Sequence, residues 1–200
     1  VRQVRSCGAE FRAHDEGGPV IEGYFSVFNR DYELWPGAVE QVAPGAFRET
    51  LGGDIRALAN HDTRLVLGRT TTGTLTLRED DKGLFGTIKM NEQDSDAMNL
   101  YARVQRGDVS QCSFGFDILD EEFTERSDGS VLWTIRKVKL YEVSVVTFPA
   151  YVETAVSARK AEVDTIRRRR LDAWKNEMKE RIKAKIGDIA ESMWIGTFHS

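Results

Sequence analysis

The sequence predicts an α+β chain: a β-rich body with a few helices, followed by a long amphipathic helix. Three observations lead there. Short runs of β-forming residues, separated by turn signals, fill the first 90 residues and return between 109 and 148. One stretch between them has helical periodicity. From about residue 157 apolar residues recur every three to five positions.

Taken in order, Val20–Phe28 is rich in β-formers and alternates loosely. Pro44–Leu51 fits a short helix, with Pro44 near its first turn. Ile55–Ala59 reads as a strand that ends at Asn60-His61-Asp62. Thr72–Glu79 alternates cleanly, Asp80–Gly83 turns, and Leu84–Met90 returns, which is a hairpin with a loop of about four residues. The clearest helix spans 93–106, because Ala97, Leu100, Tyr101 and Val104 share one face and Gly107 closes it as a C′ residue. Val109–Leu119 reads as a strand and Ser127–Ser130 as a turn. Val131–Phe148 is a β-branched run of one or two strands, stopped at Phe148-Pro-Ala-Tyr151 because proline cannot continue a central ladder. Val163, Ile166, Leu171, Trp174, Met178, Ile182, Ile186, Ile189 and Met193 stripe the last helix, with an interruption expected near Gly187. Two units follow: a body at 1–157 and a helical tail at 158–200.

Composition narrows the function classes. The chain has 200 residues, 40% hydrophobic and 30% charged, which suits one globular domain plus an appendage and is too apolar for disorder. No run approaches the roughly 18 apolar residues of a membrane span, and residues 1–20 lack the apolar stretch of a secretory signal. Cys7 and Cys112 form neither a disulfide framework nor a zinc motif, so reduced thiols are expected. Phosphate loops, dinucleotide fingerprints and metal-ligand clusters are absent, so no cofactor is expected. Residues 158–200 hold 11 Lys and Arg against 7 Asp and Glu, whereas residues 1–157 hold 17 against 25. An acidic body argues against nucleic acid. On a helix, Arg167–Arg170 spread around the cylinder and fit a solvated face or an acidic protein partner.

Three residues carry candidate chemistry. Ser113 sits in Cys112-Ser-Phe-Gly-Phe116, where Gly115 leaves room for a peptide to approach. It is either a half-buried strand serine or a nucleophile; Ser110, nearer the helix end, suits a capping role. His61 is either a surface loop residue or a general base at a strand end. Asp62 beside it points to the opposite face of an extended segment, which disfavours it as a partner. Glu142 is an acid in an otherwise apolar strand, and is either an edge residue or a third catalytic member. Alternation places Cys112 opposite Ser113, as a structural thiol.

Gly23-Tyr-Phe-Ser-Val-Phe-Asn29, Val42-Ala-Pro-Gly-Ala-Phe47, Asn60-His-Asp62 with Leu67-Gly-Arg69, Gly73-Thr-Leu-Thr-Leu77, Ser113-Phe-Gly-Phe116 and Leu140-Tyr-Glu-Val-Ser-Val-Val-Thr-Phe-Pro-Ala150 occur in one order over about residues 8–157. This arrangement resembles the prohead (capsid maturation) proteases of tailed phages, which are related in fold to the herpesvirus protease assemblin. The resemblance implies a β-barrel-like core wrapped by helices, with Ser113 as nucleophile, His61 as base and Glu142 as third member. The herpesvirus enzymes use a second histidine there; here a carboxylate takes its place, since neither His14 nor His199 is well placed. The implied substrates are the scaffold protein or the scaffolding segment of the major capsid protein, cut inside the immature shell, and the protease itself. Phe148–Tyr151 is a candidate oxyanion region. The tail is expected to dock on scaffold or shell and to support self-association. The competing expectation is a non-enzymatic assembly module, in which Ser113, His61 and Glu142 need not converge.

Overall fold

The computed structural model describes residues 3–8, 11–15, 17–148 and 153–186. In chain order its strands are β1 (Gln3–Gly8), β2 (Arg12–His14), β3 (Val20–Val27), β4 (Tyr32–Trp35), β5 (Ala38–Val42), β6 (Arg56–Ala59), β7 (Asp62–Arg69), β8 (Leu75–Glu79), β9 (Gly83–Lys89), β10 (Gln111–Glu125) and β11 (Val131–Val146). Helix α1 (Ser95–Arg106) lies between β9 and β10, and α2 (Glu153–Ile186) follows β11. The chain divides into two compact units between residues 152 and 153.

The hairpin β10–β11 is the spine of the body. Its strands run 15 and 16 residues, and shifts of register near Gly115, Ile118 and Asp120 bend it. β1 lines the free side of β10, antiparallel. The far side of β11 is shared by two short parallel strands, β5 against Val131–Ile135 and β6 against Glu142–Val145. β4 pairs with β5, and β7 with β6. A second sheet has the order β2-β3-β9-β8. This corrects the barrel-like expectation: among the described residues the strands form two sheets and neither closes. Because β11 gives its second side to two short strands, the first sheet is left with edges at β1, β4 and β7.

Alternation along β10 turns Cys112, Phe114 and Phe116 into the core. Phe114 meets Phe47 edge-on at 5.4 Å and stacks on Phe116 at 4.8 Å. Helix α1 begins where Asp94 accepts the backbone N–H of Asp96 and Ala97, and it ends at Gly107 with φ +86°, buried on the predicted face. The hairpin β8–β9 forms as its alternation predicts. Pro44–Leu51 does not form a helix. Gly45 takes φ +90°, and the segment closes a chain of turns, such as Thr50 N–H to Phe47 O at 2.9 Å. Val131–Val146 is one strand. Helix α2 is continuous over its 34 residues, with Leu171 and Trp174 about half exposed. The interruption expected near Gly187 lies outside the described residues. None of the described helices is long and apolar enough to cross a membrane.

Candidate active site

Four side chains make up the candidate site: His61 in the turn after β6, Ser113 on β10, and Glu142 and Ser144 on β11. β6 ends in a two-residue hairpin turn: Ala59 faces Asp62, and Asn60 and His61 between them take φ +50° and +61°. Two successive left-handed residues make the primed turn that matches strand twist, and Asn and His tolerate this region better than most residues. The turn is tied to β11 by the Asn60 N–H donating to Val145 O (2.9 Å) and by Thr147 N–H donating to Asn60 Oδ1 (2.8 Å). The imidazole is thereby held over the end of the β11 ladder.

There His61 Nδ1 lies 2.7 Å from Glu142 Oε1. A carboxylate can only accept, so Nδ1 carries the hydrogen and Nε2 of the neutral ring keeps its lone pair. Ser144 Oγ donates to the other carboxylate oxygen, Oε2, at 2.6 Å. Glu142 and Ser144 are both buried, so these bonds act away from solvent. Nε2 is also buried, yet among the described residues it has no hydrogen-bond partner. Buried polar atoms are nearly always paired, so an orphan at this point is a place where a partner is required.

Ser113 faces Ser144 directly across β10–β11, and Gly115 faces Glu142. Opposed residues share a face, as do residues two apart. Ser113 therefore lies on the face that carries Glu142 and Ser144, as a diagonal neighbour of the acid at about 7 Å between Cβ atoms. It is fully buried, and its hydroxyl does not bond His61; Oγ donates to Arg5 O of β1 at 2.8 Å. The structure joins His61 and Glu142, places Ser113 on the strand face that carries Glu142 and Ser144, and commits the serine hydroxyl to Arg5 O.

The remaining candidates separate. Asp62 is held by Arg64: its carboxylate takes the guanidinium at 2.8 Å and the backbone N–H at 2.9 Å. These bonds hold its pKa down at about 2, away from His61 chemistry. Ser110 is exposed ahead of β10. Cys112 is buried on the opposite face, with Sγ 3.1 Å from Tyr24 O. Phe148 is exposed, and Pro149–Tyr151 lie outside the described residues. Ser144 was not among the sequence candidates, although its place two residues after Glu142 on one strand face is a readable signal. Among the described residues no group of three or more His, Cys, Asp or Glu could hold a metal ion.

The chain matches the family model described as caudovirus prohead serine protease over residues 8–169. It is 32% identical over 157 residues to the prohead protease of Enterobacteria phage HK97, covering 74% of this chain and 64% of that relative. It is 29% identical over 104 residues to the prohead protease of Escherichia phage T5, covering 52% of this chain and 45% of the relative. The chain thus spans less than two thirds of the first relative's length and under half of the second's. A solved structure of the bacteriophage T4 capsid assembly protease overlaps with a TM-score of 0.45 at 14% identity, covering 72% of this chain and 96% of that one.

Proposed function

The chain belongs to the caudovirus prohead serine protease family, and on that premise we propose that it is a serine endopeptidase of procapsid maturation. The observation that carries this reading is the imidazole of His61, oriented by Glu142 through Nδ1, with Nε2 buried and without a hydrogen-bond partner among the described residues. That is what a general base looks like before its nucleophile arrives.

In this mechanism Ser113 Oγ attacks the peptide carbonyl carbon while His61 Nε2 takes its proton. Glu142 stays ionised and stabilises the imidazolium, and the Ser144 hydroxyl fixes the second carboxylate oxygen. The C–N bond breaks as Nε2 protonates the departing amine. Water then attacks the Ser113 ester, with His61 again as base. Following the family resemblance, the substrates are the scaffold or the scaffolding segment of the major capsid protein, and the site of action is the procapsid interior. The body is read as an open relative of the assemblin fold. The tail beyond 157, with Leu171 and Trp174 half exposed, is read as the segment that holds the enzyme to scaffold, shell or a second copy.

One observation favours a non-enzymatic assembly module: the Ser113 hydroxyl is bonded to Arg5 O and not to His61. Co-expression with a capsid precursor separates the readings. The endopeptidase reading requires that the wild-type chain shorten the precursor and that Ser113→Ala leave it intact. An intact precursor with both proteins supports the assembly module.

A further inference from the structure

We propose that β1 lies in this protein's own substrate groove, and that Glu40 selects an arginine or lysine immediately before the bond to be cut. The inference rests on the endopeptidase reading. It starts from an edge. β10 carries Ser113, one side of it is taken by β11, and β1 fills the other as an antiparallel strand, with Ser6 opposite Ser113 and Arg5 opposite Phe114. An extended peptide added to a sheet edge is held by its main chain, and side-chain pockets then set its sequence.

The register puts one particular peptide group against the serine. Arg5 O accepts the Ser113 hydroxyl at 2.8 Å. The Arg5 side chain is itself buried: Nη2 donates to Glu40 Oε2 at 2.9 Å, and Nε donates to Oε1. The guanidinium lies 5.8 Å from the Phe116 ring, with further bonds to Gln3 Oε1 and Val4 O. A planar fork against both oxygens of one carboxylate is recognition of a guanidinium, with an ammonium as the lesser fit. Only Gly8 of β1 falls within the span matched by the family model.

A purely structural edge strand is the competing account. Such a strand would be served at least as well by an apolar residue beside Phe116, because a buried ion pair seldom exceeds a well-packed apolar pair in stability. Glu40 is buried on β5, and a groove that must accept a cation from each incoming strand needs an acid there. The resting hydroxyl donates a hydrogen bond to the carbonyl oxygen and is not engaged with His61, which keeps the strand uncut. In the productive arrangement Ser113 Oγ bonds to the Arg5 carbonyl carbon and its proton passes to His61 Nε2. The bond to Ser6 then breaks, the Ser6 nitrogen takes that proton, and water releases Arg5 as a carboxylate.

The test uses the full chain and peptides containing Gln-Val-Arg-Ser-Cys-Gly, with Lys, Gln or Glu in place of Arg, read by mass spectrometry. Cleavage is expected after Arg, within about tenfold after Lys, and at least about a hundredfold more slowly after Gln or Glu. The charge-exchanged chain Arg5→Glu/Glu40→Arg should prefer the Glu peptide. If that chain does not fold, Arg5→Gln/Glu40→Gln decides alone: it leaves no buried charge, and its ratio of Arg to Gln cleavage should fall towards one. The inference is overturned if the wild-type chain cuts a capsid precursor yet treats Arg, Gln and Glu peptides alike, or if the neutral pair keeps the basic preference. If the wild-type chain cuts neither precursor nor peptide, the endopeptidase reading fails and this inference falls with it.

Discussion

His61 Nδ1 reaches Glu142 Oε1 at 2.7 Å across 81 positions of sequence. In the proposed mechanism this bond sets which ring nitrogen acts as the base. Glu142→Gln keeps the shape but removes the charge and presents an amide that disturbs the tautomer. We predict a fall in kcat/KM of about 10³–10⁴ for precursor cleavage, with the circular dichroism spectrum unchanged. Activity within tenfold of wild type would remove Glu142 from the mechanism.

Two serines face each other at this site, and they are predicted to behave differently. Ser113→Ala should lose on the order of a millionfold in kcat. Ser144→Ala removes only a bond to a carboxylate and should cost about tenfold to a hundredfold, in line with one charge-assisted hydrogen bond. Cys112→Ala should cleave at close to the wild-type rate. Initial rates on one peptide substrate compare all three. The opposite ranking of the serines would move the nucleophile to β11.

What the sequence made legible follows physical range. Helix α1 was readable because its apolar stripe and Gly107 are local, and the β8–β9 hairpin because alternation and turn lie side by side. The pairing of His61 with Glu142 came through the ordered family motifs, since no local pattern links residues 81 apart. The turns at Pro44–Leu51 were misread as a helix because the left-handed Gly45 overrides the helix-start signal of Pro44. β4, β5 and β7 were not read at all; their pairing with distant strands decides them. Arg5 gave no signal, because its buried acid lies 35 positions away.

The β3–β9 pairing predicts a stability effect remote from the site. A Cβ on Gly83 would fall 2.0 Å from Ser26 O, next to the register shift between Tyr24 and Ser26. Backbone must move to admit it. Gly83→Ala should destabilise the body by about 3 kcal/mol, at the upper end of overpacking effects. A thermal melt should show Tm lower by roughly 6–12 °C. An unchanged Tm would show that this pairing is looser than described.

Alkaline pH should weaken the packing of α1. Tyr101 is buried and its hydroxyl donates to Asp15 Oδ1 at 2.5 Å, and this bond pushes the phenol up to about 12 from 10.0. The folded state then holds a proton that the unfolded state releases, so this contribution is complete below pH 10 and is lost as pH rises towards 12. Tm measured from pH 9 to 12 should fall more steeply for wild type than for Tyr101→Phe. Parallel curves would contradict the assignment.

The central claim is that the Ser113 oxygen becomes acylated by the substrate. Mixing the chain with excess cleavable peptide, quenching in acid within the first turnovers and sequencing the tryptic fragments by mass spectrometry tests it directly. The account predicts an acyl group of the N-terminal product's mass on Ser113, absent from Ser113→Ala. Cleavage with that group on Ser144 or Cys112, or with Ser113 unmodified while Ser113→Ala still cuts, would contradict it.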